Sequence, residues 1–215
     1  MGELYMENNT FNASRIAIMG GTFDPIHLGH LMVAEEARQK FSLDKVIFVP
    51  VGIPPHKSAE NITPSYHRYM MTLLATNNHP HFFVSNFEID RNQPSYSIET
   101  LRYFRDLYDS ETSLYFITGT DTILDILTWK DYHELPQLCD FICATRPNFS
   151  VEELETRVYR YFPELKPHVH YLQIPLIEIS STEIRNKRFN EQDITFMVPE
   201  TVENYILKEN LFKGD

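Results

Sequence analysis

Two histidines that follow a pair of glycines are the residues of this chain best suited to binding phosphate groups. His27 and His30 come shortly after Gly20 and Gly21 in the segment MGGTFDPIHLGHL, which continues an apolar run. Glycine has no Cβ atom, so a ligand can approach the backbone closely there. A helix that begins near the histidines would place both imidazoles on one face and offer unpaired N–H groups at its positive end. The segment therefore predicts a phosphate site, and a metal pair or two ordinary surface histidines remain as alternatives.

Two other segments could bring cations and hydroxyl groups to the same anion. Lys57 lies at the tip of the proline-rich loop PVGIPPHKS, from where a compact ammonium group could reach the same crevice. Ser181 and Thr182 are of the residue types that cap helices, and Arg185 falls in the first turn that would follow. This second segment predicts a helix start whose hydroxyls and guanidinium hold a polyphosphate. A solvated lysine and a helix that is merely well capped are the alternatives.

The elements that must position these residues alternate along the chain. Six apolar, β-branched or aromatic runs predict strands, at 15–19, 45–50, 82–85, 113–118, 141–145 and 168–174. Helical patterns lie at 28–41, 64–77, 97–109, 122–138 and 151–162, and again from Pro199 onward. Such alternation predicts right-handed βαβ units. We therefore expect an α/β fold, a single doubly wound Rossmann-like domain whose parallel sheet has helices on both faces and binds ligands at the carboxyl ends of its strands.

The composition limits the classes of protein to which the chain can belong. Its 215 residues suit one domain, and 42% hydrophobic and 23% charged residues are ordinary for a globular protein. A net charge of −11 argues against a nucleic-acid partner, and the sequence has no apolar run of the ~20 residues that a membrane span needs. Cys139 and Cys143 are too few for a disulfide framework, so we expect both to be small buried residues of a reduced, cytoplasmic protein. The oligomeric state stays open, and a homo-oligomer is compatible with the sequence.

The two phosphate-binding segments form a recognisable pair of motifs. GGTFDPIHLGH and ISSTEIR resemble the paired motifs of the HxGH nucleotidylyltransferase superfamily. The segments between them resemble those of the bacterial nicotinate-nucleotide adenylyltransferase family: PPHK at 54–57, PSYSIETL at 94–101, FITGTD at 116–121, Trp129, and RP at 146–147. The resemblance extends from about Arg15 to Leu211, with the motifs in the family's order.

This resemblance implies which residues serve which substrate. Those implied for catalysis at the ATP phosphates are His27, His30, Lys57 and Arg185. Those implied to bind ATP are Gly20, Gly21, Thr22, Phe23, Arg146, Pro147, Ser181 and Thr182. Those implied to hold the nicotinate nucleotide are Tyr96, Ser97, Asp121, Trp129 and Lys130. Trp129 could offer a flat face to a pyridine ring and Asp121 could accept hydrogen bonds from ribose hydroxyls, while a core tryptophan and a helix cap are the alternatives.

The reaction that the resemblance implies is adenylyl transfer from ATP to nicotinate mononucleotide, which forms deamido-NAD and pyrophosphate in NAD biosynthesis. The nucleophile would be the acceptor's own 5′-phosphate, so the protein needs only to align two anions and to neutralise charge. We expect Mg²⁺ as the cofactor, bound with ATP mostly through phosphate oxygens and water, and we assign no protein ligand to it. Another HxGH enzyme, such as a pantetheine-phosphate adenylyltransferase or a cytidylyltransferase, and a non-catalytic nucleotide-binding module are the alternatives.

The sequence departs from the family pattern at a few positions. Ser97 stands where the family usually has threonine, and Thr120 stands where it usually has alanine. Because serine keeps the hydroxyl and the N–H group, the expected substrate is unchanged. Residues 1–14 match nothing in the family, so we expect them to form a flexible extension before a nucleotidylyltransferase domain at 15–215.

Overall fold

A computed structural model describes residues 13–55, 62–145, 149–175 and 178–214 of the chain. Three of the predicted site residues, Lys57, Arg146 and Pro147, lie outside these ranges. Most of the predicted N-terminal extension, at 1–12, lies outside them as well.

The described chain contains one parallel sheet of six strands in the order β3-β2-β1-β4-β5-β6. The strands are β1 (Arg15–Gly21), β2 (Lys45–Pro50), β3 (Phe82–Val84), β4 (Ser113–Gly119), β5 (Asp140–Thr145) and β6 (Val169–Gln173). All six predicted strands are confirmed, most of them within a residue or two at each end. The strand order reverses between β1 and β4, which pair directly and in parallel. A doubly wound sheet of this order confirms the predicted Rossmann-like fold and places its switch point at these two strands.

The strand sequences are continuous apolar runs because both faces of the sheet are covered by helices. Ile16, Ala17 and Ile18 of β1 are fully buried, and their neighbours on both sides are strand residues of β2 and β4. Successive residues of β4 alternate between the two faces, with Phe116 in one core and Ile117 in the other. We call the core that contains Phe116 the first core and the core that contains Ile117 the second core.

The helices divide between these two cores. They are α1 (Leu28–Lys40), α2 (Ser65–Thr76), α3 (Ser97–Leu107), α4 (Thr120–Leu124), α5 (Leu135–Leu138), α6 (Val151–Leu154), α7 (Ser181–Phe189) and α8 (Glu200–Lys208). Buried residues of α3, α4, α5 and α6 belong to the first core. Buried residues of α1, α2, α7 and α8 belong to the second core. The expectation of helices on both faces is therefore confirmed.

One predicted helix is wrong as a continuous element. The pattern at 122–138 predicts a single helix, but the chain forms α4, two short 3₁₀ turns and α5 instead. Trp129 takes an extended conformation and Asp131 a left-handed one, and each of these interrupts an α-helix. The helix predicted at 151–162 is also shorter, because α6 passes into a π-helical turn at Glu155–Tyr159. The first break matters for the site, because it places Trp129 in an extended segment instead of on a helix.

The cysteines agree with the expectation from the composition. Cys139 and Cys143 are both free and buried, as predicted. Within the described ranges, no helix combines the length and the apolar character that crossing a bilayer would require.

Candidate active site

The switch point of the sheet carries a cavity of about 810 Å³. Its floor is the carboxyl ends of β1 and β4, which contribute Gly20, Gly21, Thr118 and Gly119. Parallel sheets of this type bind ligands at this position, because neighbouring loops diverge there to opposite faces.

The cavity extends from one core to the other. One end is lined by residues that pack on the first core: Tyr96, Ile98, Phe116 and Trp129. The opposite end is lined by residues that pack on the second core: Met19, Val33, Ile117, Ile174 and Ile179. A cavity lined by apolar residues of both cores could accommodate two aromatic rings, one toward each face of the sheet.

The cavity lining also contains the predicted histidine pair at the start of α1. His27 is the N-cap of this helix, and its ring stacks on the ring of His30 with the centroids 3.7 Å apart. The backbone N–H of His27 donates to Nδ1 of His30 over 3.2 Å, which leaves the proton of a neutral His30 on Nε2. The ring of Phe23 packs edge-to-face against the ring of His30. The helix start and the shared face that the sequence predicts are therefore present.

Burial governs the charge of this pair. His27 is only 7% exposed, and burial lowers its pKa to about 4. Burial also lowers the pKa of His30 well below its usual value, and the neighbouring His27 adds to the shift. At neutral pH both rings are therefore neutral in the free protein and act as N–H donors, ready to become charged when an anion arrives.

The loop between β1 and α1 is held from the other side by α7. Ser180 caps this helix by accepting a hydrogen bond from the N–H of Glu183. Ser181 Oγ donates to the carbonyl oxygen of Pro25 over 2.8 Å, and Arg185 Nη1 donates to that of Asp24 over 2.7 Å. Arg185 also contacts the hydroxyl of Thr182 over 3.3 Å. The two motifs at the ends of the sequence therefore meet in space, with the guanidinium still half-exposed.

The first-core end of the cavity combines a helix start with an aromatic wall. Tyr96 is the N-cap of α3 and Ser97 is its first residue, so the free N–H groups of this helix face the same region as the cavity lining. Trp129 packs edge-on against Phe116 and lines the cavity. Lys130 Nζ lies 4.7 Å from the Tyr96 ring centroid and 2.7 Å from a carboxylate oxygen of Glu99.

Comparison with known proteins agrees with this geometry. The model of the cytidylyltransferase-like family matches residues 18–187. A protein of a Thermoanaerobacter species is 46% identical over 201 residues, 94% of this chain and 95% of its own, and one of Moorella thermoacetica is 50% identical over 199 residues, 93% and 92%. Both are named "Probable nicotinate-nucleotide adenylyltransferase". The chain belongs to the nicotinate-nucleotide adenylyltransferase family.

A solved structure extends the comparison to the fold. Nicotinic acid mononucleotide adenylyltransferase of Plasmodium falciparum, complexed with NaAD, superposes with a TM-score of 0.71 at 26% identity, over 93% of this chain and 97% of its own. The same enzyme complexed with APC gives a TM-score of 0.69 at 25% identity. As a member of this family of nucleotidyltransferases, the chain has the superfamily's single α/β domain.

The structure brings most of the residues predicted from the family motifs to one cavity. Those that line it are Gly20, Gly21, Thr22, His27, His30, Tyr96, Ser97, Asp121, Trp129 and Lys130. Phe23, Ser181, Thr182 and Arg185 lie beside it, in or against the loop that bears the histidines. Packing also favours glycine at position 21, because a Cβ atom there would lie 2.9 Å from the ring of Phe23.

Glu88 is a cavity residue that the family motifs do not indicate. It is 5% exposed, and its Oε1 accepts a hydrogen bond from Thr100 Oγ1 over 2.6 Å. Burial raises the pKa of this carboxyl group, against the hydrogen bonds that it receives. Its position shortly after the β3 strand, at the carboxyl edge of the sheet, is the signal that could have found it.

The described residues offer few ligands for a metal ion. No group of three His, Cys, Asp or Glu side chains in these ranges converges in a way that could hold one. Asp121 is the exposed carboxylate of the cavity lining. A single exposed carboxylate could contribute one ligand to a magnesium ion whose other ligands are phosphate oxygens and water.

Proposed function

We propose that this protein transfers the adenylyl group of ATP to nicotinate mononucleotide, which forms deamido-NAD and releases pyrophosphate. The observation that carries the proposal is one cavity whose lining combines apolar residues of both cores with the histidine pair. A reaction that joins two nucleotides through their phosphates needs two ring pockets and one anion site between them. The family membership supports the same reaction.

Each substrate takes one end of the cavity. The adenosine lies toward the second core, near Ile174 and Ile179. The predicted ATP residues Arg146 and Pro147 follow β5 in the sequence. The pyridine ring lies toward the first core, against Trp129 and Tyr96, with Asp121 accepting hydrogen bonds from the ribose. Apolar walls with a few placed polar groups are typical of such ring pockets.

The transfer step needs alignment more than it needs a protein nucleophile. An oxygen of the acceptor's 5′-phosphate attacks the α-phosphorus of ATP, the new P–O bond forms, and the bond to the β-phosphate oxygen breaks to release pyrophosphate. His27 and His30 donate hydrogen bonds to the phosphate oxygens and become charged more readily once anions surround them. Arg185 and Lys57 supply further positive charge on the leaving side. Magnesium bound to the ATP phosphates neutralises charge when present.

Selectivity for the acid over the amide comes from the start of α3. The first N–H groups of a helix have no partner within the helix, and those of Ser97 and Ile98 lie at the cavity. A carboxylate accepts from such donors at both oxygens, whereas an amide presents its own donor at one of them. Each buried donor left unpaired costs ~1–3 kcal/mol.

The test compares acceptors in a pyrophosphate-release assay at fixed ATP and Mg²⁺. We expect kcat/KM for nicotinate mononucleotide to exceed that for the amide by roughly 100-fold, the equivalent of two mismatched donors at ~1.4 kcal/mol per factor of ten. Pyrophosphate release with neither pyridine nucleotide would refute the proposed reaction. Equal values would refute only the selectivity.

A pair of variants tests the source of the selectivity. Ser97→Pro removes one N–H at the first helical position, where proline is tolerated and where the extended Tyr96 before it is compatible. Ser97→Ala removes only the hydroxyl and serves as the matched control. We expect the proline variant to lose about tenfold in selectivity and the alanine variant to keep it. The reverse order would assign selectivity to the hydroxyl.

Two further proposals concern the cellular location of the protein and the division of its chain. Its free and buried thiols support a reducing, cytoplasmic location. The division into a 1–14 extension and a 15–215 domain also stands as a proposal, which limited proteolysis would test.

A further inference from the structure

Arg68 is a buried charged residue beneath the site that the transfer step does not use. It lies near the start of α2 and is 1% exposed. Its guanidinium donates to three backbone carbonyl oxygens: from Nε to Thr63 over 2.9 Å, from Nη1 to Thr22 over 2.8 Å, and from Nη2 to Gly52 over 3.1 Å.

These carbonyls belong to loops that form the cavity wall. Thr22 lies in the loop after β1, which bears the histidine pair, and itself lines the cavity. Gly52 lies in the loop after β2, next to Val51, which is also part of the lining. Because β1 and β2 are neighbours in the sheet, one side chain ties together the loops that leave their carboxyl ends.

The connection continues from Gly52 to the acceptor end of the cavity. The N–H of Gly52 donates to Ser95 Oγ over 3.2 Å, and the N–H of Ser95 donates to the carbonyl oxygen of Ile53 over 2.8 Å. Ser95 immediately precedes Tyr96, the N-cap of α3. Glycine is required at 52, since a Cβ atom there would collide with the carbonyl oxygen of Glu88. A continuous chain of hydrogen bonds therefore runs from the ATP side to the pyridine side.

Two buried acidic residues favour the charged form of Arg68. Asp24 and Glu88 are 4% and 5% exposed, and both act to raise the pKa of the guanidinium against the lowering caused by burial. Folding stability by itself would not explain a buried guanidinium here, because buried ion pairs can often be replaced by apolar residues without loss of stability. Three loop carbonyls, however, require donors, and an apolar side chain has none.

We infer that Arg68 is a positioning residue for adenylyl transfer, which holds the loop after β1 and the loop after β2 in a fixed relation so that the two substrate phosphates meet in line. This inference rests on the proposed function. In-line transfer depends on the alignment of the reacting atoms, and a displacement of about 1 Å can lower a rate ~10²-fold.

The experiment measures turnover and binding separately in Arg68→Met and Arg68→Lys. We expect kcat to fall by roughly 10- to 100-fold in both, because lysine keeps the charge but lacks the planar fork of donors. The Kd of each substrate alone, followed by the fluorescence of Trp129 in the cavity, should change by less than about threefold, since each half of the site remains intact. A merely structural arginine would lower thermal stability and leave the kcat of the folded enzyme unchanged.

Arg105→Met is the matched control. Arg105 also donates to two loop carbonyls, those of Thr112 over 2.9 Å and Asp109 over 2.6 Å, but these precede β4 at the opposite end of the sheet. We expect wild-type kcat in this variant, whatever its stability.

A second variant and a second readout keep the inference open to refutation. Ser95→Ala breaks the same chain at its other end and should also lower kcat, even if Arg68→Met does not fold. Hydrogen exchange should quicken at 22–24 and 95–98 in Arg68→Lys but not within β1 and β4. A wild-type kcat in both Arg68→Lys and Ser95→Ala, or unchanged exchange in these loops, would overturn the inference. A wild-type enzyme without pyrophosphate release would instead refute the proposed function, and the exchange experiment would still decide the role of Arg68.

Discussion

At the scale of single residues, the site relies on groups that are neutral until a substrate arrives. His27 and His30 are stacked and uncharged at neutral pH, so the pair itself carries no positive charge before a substrate binds. A phosphate that enters offsets the cost of protonating a buried imidazole, because opposite charges at short range favour the charged form. The pair can therefore respond to the charge that develops during transfer.

His30→Ala is expected to lower kcat and kcat/KM together by about 10²–10³, since donors aimed at developing charge typically contribute that much. His30 is the member of the pair whose orientation is set by a backbone hydrogen bond, which makes it the better-placed donor. Steady-state kinetics measures this, with the exposed His133→Ala as a control of wild-type rate. A raised KM at wild-type kcat would make His30 a binding residue only.

At the scale of elements, the distant ends of the sequence meet through α7. This helix brings Ser181 and Arg185 against the loop after β1, and the hydroxyl of Ser180 holds its first turn in place. The start of α7 and the start of α1 therefore act as one unit, although about 150 residues of chain separate them.

Ser180→Ala is expected to lower the free energy of unfolding by ~1 kcal/mol, the usual loss for an N-cap. It should also weaken ATP binding, because the first turn of α7 carries Ser181 and Arg185. Urea unfolding and calorimetric titration with a non-hydrolysable ATP analogue measure the two effects. Asp109→Ala is the control, since Asp109 accepts from the N–H of Glu111 over 2.9 Å in a turn remote from the cavity. Unchanged ATP affinity in Ser180→Ala would separate α7 from the ATP site.

At the scale of the whole molecule, the buried histidines link folding to pH. The unfolded chain binds a proton on each histidine near pH 6.5, whereas the folded protein holds His27 neutral down to about pH 4. The unfolded state therefore binds more protons between these values, and stability falls as the pH is lowered through this window. Glu88 acts in the opposite sense, because its pKa is raised on folding.

The free energy of unfolding should therefore fall by about 1.5 kcal/mol more between pH 6.5 and pH 5 in the wild type than in His27→Asn. Comparing the two proteins cancels the contribution of Glu88 and of the histidines outside the pair. Because His27 also lowers the pKa of His30, its removal reduces the contribution of His30 in the same direction. Urea unfolding of the ligand-free proteins at several pH values measures the difference. Parallel pH profiles would show that His27 is not buried in its neutral form in solution.

Local chemistry made much of this protein predictable from its sequence. The β-branched and aromatic runs specify the strands, because a sheet covered on both faces selects continuous apolar sequence. The start of α1 at the histidines and the cap of α7 follow from residue types within a few positions of each other. The motif pair and the segments between them identify the family without any coordinates.

Tertiary structure alone decided what those residues face. Burial of His27 and His30 depends on the whole surrounding fold, so their neutral state cannot be inferred from spacing. The local sequence pattern predicts a continuous helix through Trp129 and Asp131, whereas the folded chain interrupts the helix at both residues. In the sequence, Arg68 is an ordinary residue of a predicted helix. Only the tertiary structure shows that its side chain bridges Thr22 and Gly52, because its partners are backbone carbonyl oxygens, which leave no pattern in the sequence. Sequence patterns report local preference, whereas the alignment of two loops depends on contacts between residues far apart in the chain.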